Sequence, residues 1–71
     1  MAIDTKYGQV NVKGVPDNEP IFILRGQDIF AIHLLKFYRS LRESSGDVAG
    51  ERSVGFTIDA FKSWMFKKVP D

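Results

Sequence analysis

Two rhythms of hydrophobic and polar positions run along this chain. Tyr7-Gly8-Gln9-Val10-Asn11-Val12 alternates, with Gln9 and Asn11 on one side and Val10 and Val12 on the other. That period of two predicts a half-buried strand. Gly14-Val15-Pro16-Asp17-Asn18-Glu19-Pro20 follows and has turn chemistry, because Pro16 presets a turn and Asp17 and Asn18 tolerate tight backbone. Ile21-Phe22-Ile23-Leu24 does not alternate. Both of its faces are apolar, which predicts a second strand covered on both sides. A partner subunit or an N-terminal extension folded over the sheet would each supply that cover.

The rhythm then changes to that of a helix. Gly26 permits a sharp change of direction and Asp28 is a candidate N-cap for a helix from about Ile29 to Ser44. Ile29, Phe30, Ala31, Ile32, Leu34, Leu35, Phe37, Tyr38 and Leu41 make an apolar stripe wider than one buried face needs. Lys36, Arg39, Ser40 and Glu43 form a narrow polar face, and Gly46 is a natural stop. Gly46-Asp47-Val48-Ala49-Gly50 reads as a linker. A second helix follows, capped by Ser53 or Thr57 and ending near Lys68 ahead of Pro70. Val54, Ile58, Phe61 and Met65 fall at helical spacing, with Phe56, Ala60, Trp64 and Lys68 on an adjoining stripe. The expected architecture is α+β: residues 1–71 as a single domain, a two-stranded β-hairpin followed by two antiparallel α-helices, assembled into a homo-oligomer.

Size sharpens the last point. A chain of 71 residues has a small core, and cores of this size supply about 3–5 kcal/mol at most. Disulfides are excluded by the absence of cysteine, and His33 is the only imidazole, so a His-rich or Cys-rich zinc site is excluded too. Dense aromatic packing and self-association remain. Six Phe, two Tyr and one Trp supply the first. The formal net charge of +1 gives no general attraction to nucleic acid or to an anionic membrane. The N-terminus lacks a basic start and an apolar stretch, and the apolar run Ile29–Leu35 is far shorter than the roughly 20 residues of a membrane span. A cytoplasmic protein that does not engage the membrane is expected.

Glu19-Pro20-Ile21-Phe22-Ile23-Leu24-Arg25-Gly26-Gln27-Asp28 resembles a run in small uncharacterised proteins of tailed phages, with a core like E-P-[IV]-F-[IV]-[LF]-R-[AG]-Q-D. There too it follows a Lys-Tyr-Gly start, as at Lys6-Tyr7-Gly8, and precedes a helix with a central Tyr and a later Trp, comparable with Tyr38 and Trp64. The resemblance implies phage origin and action in the cytoplasm of an infected bacterium. It implies no activity and assigns no functional residues.

The residues themselves offer a few chemistries. At the strand–helix junction, Arg25 has a planar fork suited to phosphate or carboxylate, and Gln27 has an amide able to read a base or ribose edge. Tyr38 or Trp64 would give an aromatic platform, so Arg25, Gln27, Tyr38 and Trp64 form a candidate ligand-binding set. The plainer alternative is a capped helix with Arg25 paired to Asp28 or another carboxylate. Nothing in the spacing puts a nucleophile and an acid beside His33, and Asp4, Asp17, Glu19, Asp28 and Asp59 are dispersed. No catalytic residue, metal site or cofactor is expected. Lys36, Arg39 and Arg42 form one basic strip and Lys62, Lys67 and Lys68 another, which a solvated charged surface explains as well as nucleic acid does. Phe56, Phe61, Trp64, Met65 and Phe66 exceed what one helix can bury. An interface through Ile21, Ile23, Leu35, Phe61, Trp64 and Phe66 follows, since aromatic residues and Met are enriched at interfaces. The leading functional expectation is a non-enzymatic protein that captures a host protein stoichiometrically, as an inhibitor of host defence. One alternative is an oligomeric sponge for a small anionic nucleotide, and another is a virion or assembly component.

Overall fold

The computed structural model describes the backbone of residues 2–4 and residues 7–70 in full. Met1, Thr5, Lys6, Asp71 and the side chains of Ala2, Ile3 and Asp4 lie outside the described residues, and with them the Lys6 of the Lys-Tyr-Gly start. The fold is α+β, with element order β1 (Ala2–Asp4), β2 (Gly8–Val10), β3 (Pro20–Ile21), α1 (Ala31–Ser44) and α2 (Val48–Ser63).

The sheet corrects the expected hairpin. β2 and β3 do not pair with each other; β1 lies between them, antiparallel to β2 and parallel to β3. Asp4 pairs with Gly8, whose φ of +75° sits in the left-handed region that glycine tolerates at a tight reversal. The turn-rich segment 11–19 then serves as a crossover to the far edge of β1 rather than as a hairpin loop. β1 is three residues long and β3 two, so the chain leaves the sheet after Ile21 and most of the apolar run Ile21–Leu24 is not strand. Ile21, Ile23 and Leu24 are half-buried while Phe22 is exposed.

The two helices form an antiparallel hairpin. Arg42 meets Asp47 and Arg39 meets Glu51, so partners on α2 advance as positions on α1 recede. The turn between them is only three residues long. The Gly46 N–H donates to the Glu43 carbonyl (3.0 Å) and the Asp47 N–H to the Arg42 carbonyl (3.0 Å). With Gly46 at φ +79°, this is the Schellman closure of α1. Asp47 starts α2 at once: its Oδ1 accepts from the Gly50 N–H at 2.8 Å. The expected linker 46–50 is therefore mostly helix, and the start at Ser53 or Thr57 is corrected to Val48.

Both expected outer helix ends shift as well, for one shared reason. Trp64 is extended (ψ 121°), and the chain turns back to lie beside residues 27–29. The Lys68 N–H donates to the Gln27 carbonyl (2.6 Å), and the Ile29 N–H donates to the Lys68 carbonyl (3.2 Å). This bridge holds Asp28 outside the helix. Its Oδ1 accepts from the Phe30 N–H at 2.7 Å in a local turn, and α1 begins at Ala31 rather than Ile29. α2 ends at Ser63 rather than near Lys68, so Trp64, Met65 and Lys68 are off the expected helical stripes. Val54, Ile58 and Phe61 remain on the buried side of α2.

The result is a plate of 31 × 29 × 16 Å. Among the described apolar side chains only Ala31 and Ile58 are buried. The chain exposes 5537 Å², against about 4500 Å² for a folded monomer of 8.1 kDa. Its radius of gyration, 13.5 Å, likewise exceeds the roughly 11 Å of a compact chain this long.

Candidate functional site

The recess with the richest chemistry lies where the C-terminal segment crosses the strand–helix junction. It has a volume of about 340 Å³ and is lined by Arg25, Gly26, Gln27, Ala60, Phe61 and Trp64. That is near the lower end of the roughly 300–1000 Å³ of small-molecule sites. Its lining is mainly apolar, with the polar groups concentrated on the junction.

Each wall has a local cause. Gly26 brings the indole close: a Cβ there would stand 3.2 Å from Trp64 Cγ. A substituted residue would force the ring outward. Lys67 fixes the returning segment, its ammonium donating to the Gly26 carbonyl (2.8 Å) and to the Phe61 carbonyl (2.5 Å). The second bond joins the one that the Trp64 N–H already makes to the Phe61 carbonyl (3.3 Å) at the end of α2, where a cation is favoured. Trp64 then meets Phe66 edge to face, with centroids 5.9 Å apart. Trp64 keeps 51% of its surface exposed, so one part of the ring remains open to solvent.

Arg25 is exposed and has no carboxylate partner among the described residues. Asp28, its expected neutraliser, turns instead to the Phe30 N–H. Arg25, Gln27 and two aromatic residues, Phe61 and Trp64, thus line one concavity. Such a set suits a planar anion: stacking on the ring, charge on the fork, an edge read by the amide.

Of the residues expected to bind a ligand, Arg25, Gln27 and Trp64 are brought together here and Tyr38 is not. Tyr38 lies at the middle of α1, where its hydroxyl accepts from Arg42 Nη1 (3.1 Å) and its ring lies 5.6 Å from the guanidinium carbon. Gly26, Ala60 and Phe61 line the site although sequence reasoning left Gly26 as a hinge, Phe61 as interface and Ala60 without a role. The signal for them is the pairing of residues 27–29 with Lys68, which no local pattern announces. Of the residues expected at an interface, Ile21, Ile23, Leu35 and Phe61 are half-buried within one chain, while Trp64 and Phe66 are exposed.

A second, smaller concavity of about 260 Å³ is lined by Arg39, Glu51, Arg52, Gly55, Phe56 and Asp59. Arg39 Nε donates to Glu51 Oε1 at 2.5 Å across it. With Arg42 paired to Asp47 at 2.5 Å, two of the three cations of the α1 basic strip already have acidic partners. That weakens the strip as a polyanion track. Among the described residues no helix is long and apolar enough to cross a membrane. No protein-family model, no curated protein and no solved structure matches this chain.

Proposed function

We propose that this chain is a non-enzymatic binding protein that acts by stoichiometric capture, and that the Arg25–Trp64 recess takes a small planar anion of nucleotide chemistry. The single observation behind the reading is that the Arg25 side chain, which has no carboxylate partner among the described residues, and a half-exposed indole line one recess. On the resemblance to tailed-phage proteins, the captured molecule is one made by an infected bacterium as a defence signal.

The test is thermal unfolding against a panel of nucleotides at fixed protein concentration. A ligand at a hundred times its Kd stabilises the native form by about 2.7 kcal/mol, which for a chain of this size is a shift on the order of 10 °C. Arg25→Ala, at an exposed position, should abolish the shift and leave the unliganded midpoint nearly unchanged. No shift with any nucleotide, or a full shift in Arg25→Ala, refutes the reading. A second reading, capture of a host protein, is favoured by the exposed Phe22, Phe56, Met65 and Phe66. It predicts a complex of defined stoichiometry that survives Arg25→Ala.

A further inference from the structure

Phe30, the N-cap residue of α1, and Leu34, Phe37 and Leu41 along it are 52%, 50%, 65% and 52% exposed. Their spacings of four, three and four place them within roughly 60° of one another around the helix at 3.6 residues per turn. The inward side of α1, marked by Ala31, Ile32, Leu35 and Arg42, lies roughly 120° away. His33, Lys36, Ser40 and Glu43 occupy a third side. α1 thus has two apolar sides, and only one is used within the chain.

We infer that the second side docks against the same side of α1 in a second copy of this chain. The stripe is self-complementary. Two copies run antiparallel about a two-fold axis set Phe30 against Leu41 and Leu34 against Phe37, so each ring meets a leucine and none meets its own image. No charge interrupts the stripe, and the polar side beside it carries both signs in Lys36 and Glu43. Nothing there selects an acidic or a basic foreign partner. A standard interface takes about 800 Å² from each partner. The four side chains supply about 400 Å² of that as an apolar centre, with Tyr38 beside it. This face is separate from the recess, which contains none of the four residues.

The experiment is sedimentation equilibrium of the full chain at about 100 μM, well above a micromolar Kd, with far-UV circular dichroism on the same samples. The wild type is expected at twice the 8.1 kDa chain mass or a multiple of that. Phe37→Glu and Leu34→Gln, both at exposed positions, should retain the helical signal and fall to 8.1 kDa. Phe56→Glu, on α2, should keep the wild-type mass. A monomeric wild type overturns the inference whatever the variants do. So does a folded Phe37→Glu or Leu34→Gln that keeps the wild-type mass, or a folded Phe56→Glu that alone dissociates. If Phe37→Glu loses its helical signal, Leu34→Gln decides.

Discussion

Gly50→Ala is expected to destabilise the chain, although alanine is the better helix former. In a helix interior the exchange normally gains about 0.8–1.0 kcal/mol. Here the added Cβ would fall on the Arg42 guanidinium and the Asp47 carboxylate, which lie over the bare glycine. The guanidinium can move only by giving up three interactions with two partners, Asp47 and Tyr38. Its ion pair with Asp47 is more than a third exposed on both sides, so it contributes only about 0.2–1 kcal/mol. Its bond to the Tyr38 hydroxyl adds about 0.5–1.5 kcal/mol. Its place over the Tyr38 ring adds about 0.5–1 kcal/mol. One group makes all three, so they do not simply add, and a combined loss of about 2 kcal/mol is reasonable. Release of the buried, unpaired Arg42 Nε to water offsets a small part. The net loss is about 1 kcal/mol, a fall in midpoint of about 4–8 °C. The assay is thermal unfolding at one fixed concentration, repeated in an Arg42→Ala background. There the same substitution should cost less than in the wild type, because only the Asp47 carboxylate remains in the path of the added Cβ. A midpoint raised by Gly50→Ala in both backgrounds would refute the reasoning.

Two further substitutions probe the recess from its other walls. Gly26→Val should push the Trp64 indole outward, which a red-shifted fluorescence maximum would report. It should cost about 1–3 kcal/mol as overpacking and weaken any nucleotide-induced shift; an unchanged emission spectrum would show that the ring does not press on residue 26. Lys67→Met removes both carbonyl bonds of the ammonium, at about 1 kcal/mol of net stability each. Amide exchange at Ile29 and Lys68 should then quicken more than exchange within α1, and equal acceleration throughout would count against a local latch.

The helices and the strand–helix junction were legible in the sequence because their signals are local. Gly46, the spacing of Val54, Ile58 and Phe61, and the surplus width of the α1 stripe each act over a few residues. The start of α2 was misread because Gly50 looks like linker chemistry. Its absent side chain is explained by Arg42, a residue on the other helix. The strand pairing failed for a similar reason: the alternation at residues 7–12 marks a strand but does not name its neighbour, and β1 is only three residues long. At the site, Arg25 and Gln27 could be nominated from their chemistry. Only a long-range backbone bridge seats Trp64 beside them and leaves Tyr38 elsewhere.

That bridge links the recess to the hairpin thermodynamically. Lys67 and Gly26 are 41 residues apart in sequence, a long loop to close from an open coil. Once α1 and α2 stand side by side, only about eight residues outside them remain to be ordered, which lowers the closure entropy by about 1.4 kcal/mol. The helical pair therefore works as the spring of a clip whose jaws are Gly26 and Trp64. Strain put into the bend at Gly46 or Gly50, on the opposite side of the plate, is felt as a looser grip on whatever the jaws hold.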